Sequence, residues 1–576
     1  MSTLNSIQLS IPPERPTPGY FQRFRRLVMQ SGRLNTGNFT DIFAEVYGDR
    51  AVFYLDRDLS FSFLGKNVGA GLKPAPTNEV SYRQLAEVTA RIGNGLVSLG
   101  VKPGDRVGLM TYNRVELVFC EFACWKIGAI PVPLNFMLRD EEVRYQMENA
   151  GAAVMIVDRK VFTENIKDPA NVPCVKQWIV VSEGEAPPAG ALSLEDLADR
   201  SSPELVPYQA KSPDEIVIIF YTSGTTGQPR GAMLTHQAMM ATLRTYSMLL
   251  ALIPTNSKQL ALLVMPVAHT SGHQNLLILV SMAIPMLFVS RFDPKEIARL
   301  IQDYRATFFA GIPAMFKMML KAGAKEFDLS SMQVWGGGAD AFANDLVNTF
   351  RDFGGWKILG LRIKSLFVRG YGTAETSGHV CISPPWPAGP NCAGWVVPYL
   401  KYRLVNEQGQ DVPKGEHGEL CLKGPTIMTG YWNDPKKTEA SFLEGGWFRT
   451  GDIFYRGKWG LLYFVDREKD VIKVSGYSVF PTEVEQHLAQ HPALDRVVVI
   501  GIKDEIKGQL PVALAIPRFG AKVTPEEVLA WAREHIAGYK CPRQIVFVTD
   551  IPTTFSLKPK RNEVREKFQH LFKPRE

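Results

Sequence analysis

Thr222, Ser223, Gly224, Thr225, Thr226 and Gly227, with a cation following at Arg230, stand in the run YTSGTTGQPRG at 221–231. Glycines let a backbone approach a ligand closely, amides and hydroxyls donate hydrogen bonds, and a guanidinium offsets negative charge. Those are the needs of a phosphate cradle. The β-branched, apolar run 216–220 reads as a buried strand entering it. Thr235 is placed to N-cap a following helix through Ala238, Met239, Leu243 and Tyr246. Strand, hydroxyl-rich turn and helix is a phosphate-holding order. It is not the G-x-x-x-x-G-K-[ST] loop, which is absent here. An ordinary surface turn is the plainer alternative; it suits a lone GxxG better than a run ending in Pro-Arg-Gly.

Further stretches mix glycine with ionisable or aromatic residues: MPVAHTSGH at 265–273, WGGGAD at 335–340, GYGTAETS at 370–377, WFRTGD at 447–452, VDREKD at 465–470, IKVSGYSVFPTEVE at 472–485 and IPTTFSLKPKR at 551–561. Singly, each charge among them reads as a solvated surface group. In this order, from about 40 to 565, they resemble the signature set of the adenylate-forming (AMP-binding) superfamily, in its acyl-CoA synthetase or fatty acid–CoA ligase branch.

The resemblance implies roles residue by residue. The loop 222–227 with Arg230 holds the phosphates, and Gly337 and Gly338 form the turn under adenine. Tyr371 stacks on adenine, beside Gly372 and Thr373. Glu375 holds Mg²⁺, an ion that takes one or two carboxylates plus phosphate oxygens. Asp452 grips the ribose hydroxyls and Arg467 also reaches the nucleotide. Lys469 is the pivot of a C-terminal domain that brings in Lys558 for the first half-reaction. Lys473, Ser475 and Gly476 follow, to line the pantetheine tunnel. His269 stands at the mouth of the acyl pocket. The sequence departs from the pattern at Arg230 (usually Lys), Ala374 (Thr), Leu557 (Gly) and Ser478 (Gln or Asn), and Lys560 competes with Lys558.

The implied activity is an ATP-dependent carboxylate–CoA ligase working through an acyl-adenylate, with ATP, Mg²⁺ and CoA as cofactor and co-substrates. The segments 267–272, 310–315 and 334–338 are mostly apolar or small, with no cation for a second carboxylate. Phe309, Met315, Phe316, Met318 and Met319 suggest a roomy apolar site, although such a stripe is commonly helix core. A medium- or long-chain fatty acid is therefore expected, with an aryl acid as alternative. A ligase loading a carrier protein is a second alternative, disfavoured because no carrier module follows residue 576. Ala374 and Leu557 keep a non-catalytic nucleotide or acyl-CoA binder open.

A chain of 576 residues exceeds one core and implies several domains. The expected fold is α/β. A large domain at 41–466 pairs parallel sheets under helices with a small β-rich subdomain past 394. A compact α+β domain at 467–576 follows on a hinge. Residues 1–40 read as an extension, and 59–79 as an inserted flexible surface loop. A net charge of +7 suits an anionic substrate, and without a basic arm no nucleic acid is expected. Phe21, Phe24, Leu27 and Val28 share one helical face amid arginines at 20–34, which read as a docked helix or as peripheral membrane contact. Seven cysteines lack framework or metal spacing, so Cys120 and Cys124 read as buried thiols in a cytoplasmic protein. No apolar run reaches the roughly eighteen residues of a spanning helix. Oligomerisation is left open.

Overall fold

The computed structural model describes residues 34–55, 59–64, 78–166, 168–222, 228–250, 259–338, 342–358, 361–389, 391–474, 477–504, 507–538, 540–553 and 559–572. The arginine-rich stretch 20–34 lies outside these residues but for Leu34.

Two parallel sheets carry the large domain. The five-stranded one runs in the order Ile130–Pro133, Arg106–Met110, Val154–Asp158, Gln177–Val181, Ala191–Ser193. Its short β-branched runs are buried and covered by helices, as expected for parallel strands. The other is a fourteen-stranded sheet. Its parallel half joins Leu366–Thr373, Val334–Gly338, Phe308–Gly311, Ala261–Leu263, Met286–Phe288 and Ala51–Leu55. From Leu366–Thr373 the other half continues antiparallel through Gly378–Ile382, Cys392–Val396, Leu462–Arg467, Trp447–Arg456 and His417–Lys423 to Lys401–Val405. The β-rich subdomain is thus hydrogen-bonded edge to edge with the parallel sheet. The C-terminal unit has its own five-stranded sheet and its own apolar cores. It docks through Asp466, which accepts from the Thr482 amide at 2.7 Å, and through the paired amides of Asn391 and Gln486.

Three expectations change. The loop 222–230 does not lead straight into a helix. Ile216–Thr222 and Arg230–Thr235 pair antiparallel, so the loop joins the two strands of a hairpin. The helix His236–Leu250 starts after the second strand, with Thr235 Oγ1 accepting from the Ala238 amide at 3.2 Å.

Second, the first helix packed in the main core begins before residue 41. The helix Phe39–Tyr47 straddles residue 40, with Phe39 and Thr40 buried in the main core.

Third, the ends of 59–79 are integral. Phe61 and Leu64 are buried, Phe63 packs under Arg91 at 4.4 Å, and the Ser62 amide donates to Asp199. Asn78–Ser81 is an edge strand paired with Ala51–Leu55. Residues 65–77, the rest of the expected insertion, lie outside the described residues. Replacing 65–77 with a short linker should leave the thermal midpoint nearly unchanged, because each doubling of loop length costs only about 0.6 kcal/mol. Extending the deletion to 62–78 removes Leu64, a loss on the scale of ~2–5 kcal/mol for a buried leucine. Equal midpoints for the two deletions would refute this division.

Among the described residues no helix is long and apolar enough to cross a membrane. The stretch 275–289 forms part of the helix Thr270–Ser281 and the strand Met286–Phe288. Cys120 and Cys124 are free and buried.

Candidate active site

Tyr371 and Asp452 come from strands far apart in sequence and meet where the two halves of the large sheet join. The Tyr371 hydroxyl donates to Asp452 Oδ2 at 2.6 Å. Burial and that carboxylate push the phenol well above its ordinary value. Asp452 is 5% exposed and lies opposite Arg467, whose Nε is 3.6 Å from Oδ1. Lys469 follows in the turn Glu468–Asp470. Burial holds its amine below the usual range, with Arg467 and Asp452 among the charges that act on it. The expected pivot therefore abuts the expected ribose contacts.

Gly337 and Gly338 end the strand beside Leu366–Thr373, Gly338 facing Gly370. A Cβ on Gly337 would stand 2.4 Å from the Phe342 ring, and one on Gly338 would stand 2.9 Å from the Gly370 carbonyl. A Cβ on Gly372 would strike the Gly378 carbonyl at 1.8 Å. Glycine is needed at each for close strand packing.

Glu375 sits in the short helical turn Ala374–Thr376. Its Oε1 accepts from the Tyr431 hydroxyl at 3.0 Å, and its carbonyl accepts from the Met428 amide at 2.8 Å. Tyr431 lies on the strand Gly430–Tyr431, which pairs with Arg230–Thr235. Arg230 stands 6.0 Å from the Tyr431 ring and 3.6 Å from Asp434. Thr222 faces Arg230 across the hairpin. One small sheet thus ties the flanks of the phosphate loop to the carboxylate expected to hold the metal. Sequence reasoning missed Tyr431 and Asp434. The only local signal was the run GYWND at 430–434.

The residues present fit a metal–nucleotide group. Glu375 supplies a hard oxygen donor, the glycines leave space only for backbone, and Thr373 Oγ1 is buried with no partner among the described residues. That hydroxyl stands next to Ala374, where the family pattern has its threonine. Ser223, Gly224, Thr225, Thr226, Gly227, Ser475, Gly476 and Lys558 lie outside the described residues.

His269 precedes the helix Thr270–Ser281 and lines a small cleft with Thr111, Asn113, Asn135 and Phe136, at the ends of the five-stranded sheet. Burial lowers its imidazole pKa, which favours the neutral form. Lys473 is not at the nucleotide residues: its amine bonds Glu407 at 2.7 Å and Ser478 at 3.0 Å. The stripe expected to form an acyl wall is mostly core. Phe309, Phe316 and Met319 are fully buried among Trp335, Phe350 and Phe367, and Met318 is exposed. The apolar face of that helix packs inward on the domain.

His379 lies against Gly338 and Gly370, and burial pushes its imidazole down to about 4. An unfolded chain protonates histidine near 6.5, so it binds the extra proton first. Stability should therefore fall as pH drops from about 6.5 toward 4. Thermal melts across that window should show a shallower slope for His379→Asn than for the parent. Coincident slopes would assign the effect elsewhere.

Comparison with known proteins gives the family and the fold. The family model described as AMP-binding enzyme matches residues 67–432, and the AMP-binding enzyme C-terminal domain matches 483–558. A feruloyl-CoA synthase of Amycolatopsis sp is 32% identical over 501 residues, covering 85% of this chain and 94% of the relative. A long-chain-fatty-acid–CoA ligase of Bacillus subtilis is 29% identical over 502 residues, 83% of this chain and 88% of the relative. The crystal structure of ATP-bound MatB from Rhodopseudomonas palustris superposes with a TM-score of 0.80 at 25% identity, covering 94% of this chain and all of that one.

Proposed function

The chain belongs to the AMP-binding enzyme family as an AMP-forming acid–CoA ligase, and from that premise we propose that its acid is apolar and aryl-substituted. The observation that carries this choice is the burial of Phe309, Phe316 and Met319 in the core, which takes away the lining of a roomy alkyl site. A feruloyl-CoA synthase among the relatives supports it. The Bacillus subtilis relative favours the second reading, a medium- or long-chain fatty acid.

ATP enters as substrate. The loop 222–227 and Arg230 take its phosphates. Tyr371, with Gly337 and Gly338, takes adenine. Asp452 and Arg467 take the ribose. Glu375 would hold Mg²⁺, whose charge would offset that of the phosphate oxygens. Thr373 Oγ1 supplies the hydroxyl that Ala374 lacks. A carboxylate oxygen of the acid attacks the α-phosphorus, the bond to the β-phosphate oxygen breaks, and pyrophosphate leaves. Lys558 places its charge on that centre, and the protein acts by positioning and fixed charge. The C-terminal unit then turns about Lys469. Lys473, Ser475 and Gly476 replace Lys558, and the CoA sulfur attacks the acyl carbon as AMP departs. His269, held neutral by burial, is the base assigned to the thiol proton. Lys473 must first leave Glu407. That pair is exposed and screened by solvent, so it does not lock the orientation. Peripheral membrane contact through 20–34 also belongs to this reading.

ATP–pyrophosphate exchange and acyl-CoA formation should be measured with ferulate, indoleacetate, octanoate and palmitate. Higher kcat/KM for the aryl acids is expected. A preference for palmitate would reinstate the fatty-acid reading. Transfer to a carrier protein but not to CoA would move the acceptor, and exchange with no acid would leave a binder.

A further inference from the structure

The strands Gly355–Ile358 and Leu361–Lys364 form a two-stranded ribbon that pairs with no other strand among the described residues. Its register sets Trp356 opposite Ile363, Ile358 opposite Leu361 and Lys357 opposite Arg362. Alternation along the second strand puts Leu361 and Ile363 on one face, and Arg362 and Lys364 on the other. The outer part of the apolar face is open: Leu361 is 72% exposed and Ile363 46%, while Trp356 on the same face is half-buried. The ribbon is held at its base. The Gly355 amide donates to the Met332 carbonyl at 2.7 Å, Arg362 donates to the Asp352 carbonyl at 2.7 Å, and Lys364 pairs with the Asp352 carboxylate. Residues 351–364 contain four cations (Arg351, Lys357, Arg362, Lys364) against the single acid Asp352, a local charge of +3. An isolated two-stranded ribbon is marginal in water, and adjacent exposed Leu and Ile side chains mark a surface that is covered in use.

We propose that this ribbon docks the protein on an anionic lipid surface. Leu361 and Ile363 enter the interface, while Arg362 and Lys364 meet lipid phosphates. A strand rises about 3.3 Å per residue, so each of these cations sits one residue from Leu361 or Ile363. That matches the roughly 5–10 Å depth of interfacial insertion. The charge selects lipid over a second copy of the chain. Two copies joined through this ribbon bring +3 against +3, whereas an anionic surface neutralises both. Such docking would hold the acyl-binding machinery where apolar acids partition. It is separate from residues 20–34 and does not depend on which acid is used.

The test is co-sedimentation of the full chain with phosphatidylcholine vesicles, with and without phosphatidylglycerol. Binding should require phosphatidylglycerol and weaken with salt. Arg362→Gln should lower the partition coefficient about fivefold, the effect of one surface charge. Leu361→Asp/Ile363→Asp should lower it about tenfold or more. Leu361→Asp/Ile363→Asp should keep the parent's thermal midpoint, and both variants should keep pyrophosphate exchange with a water-soluble acid. Arg25→Gln/Arg26→Gln serves as the control for the N-terminal stretch and should retain ribbon-dependent binding. Absence of phosphatidylglycerol-dependent binding by the parent overturns the proposal. So does equal binding by parent and ribbon variants. Sedimentation velocity showing that Leu361→Asp splits a dimer, with vesicle binding unchanged, would assign the ribbon to self-association instead.

Discussion

Glu375→Gln should reduce ATP–pyrophosphate exchange by about 10²–10³-fold, the cost of removing one group that stabilises charge in a transition state. The substitution keeps the side chain's size and its ability to accept from Tyr431, so the fold should survive. The carboxylate's charge is what disappears. Tyr431→Phe is the companion experiment. It leaves the carboxylate but removes the hydroxyl that orients it at 3.0 Å. Partners that orient a metal ligand typically matter by about 10–100-fold in metal affinity. The Mg²⁺ concentration for half-maximal exchange should therefore rise by about that factor, with less change at saturating Mg²⁺. Titration of exchange against Mg²⁺ for parent and both variants decides it. A Glu375→Gln enzyme with normal exchange would remove Glu375 from the site. A Tyr431→Phe enzyme that loses exchange equally at all Mg²⁺ concentrations would show that Tyr431 acts on something other than the metal.

Lys558→Ala should lower adenylation by about 10²–10³-fold and spare thioester formation from supplied acyl-AMP, whereas Lys560→Ala should change either half little. Lys558 lies outside the described residues, but its rival is accounted for. Lys560 bonds Glu563 at 2.7 Å at the start of the helix Arg561–Phe568, and its backbone amide donates to the Pro552 carbonyl. Arg561, next along, is bound by both Glu485 oxygens at 2.8 Å. Each half-reaction should be assayed on the same preparations. Normal exchange in Lys558→Ala together with loss in Lys560→Ala would reverse the assignment.

Much of this was legible in the chain. The strands of the five-stranded sheet stand out at 107–110 and 154–157 because short β-branched runs between helical segments have few alternatives. Motif order assigned Tyr371 to adenine and Asp452 to ribose separately; their 2.6 Å contact is shown only by the folded sheet. The strand Arg230–Thr235 was hidden. Its residues carry no β-branched run, and it is a strand because it pairs with Ile216–Thr222 on one side and Gly430–Tyr431 on the other. The second partner is some two hundred residues away in sequence. Tyr431 was missed for the same reason, since Glu375 reaches it only after the chain has crossed the β-rich subdomain. The stripe 309–319 misled because periodicity shows that a helix has an apolar face without saying what that face covers.

The three-stranded sheet that carries Arg230 on one strand and Tyr431 on the next has a thermodynamic consequence. An anion bound at Arg230 would also steady the strand from which Tyr431 reaches Glu375, and an ion on Glu375 would steady Arg230 in turn. Coupling of this kind is reciprocal: whatever factor nucleotide adds to metal affinity, metal must add to nucleotide affinity. Loosening the pairing at Gly231–Trp432, where the Trp432 amide donates to the Gly231 carbonyl at 2.8 Å, would therefore shrink one shared cooperativity factor.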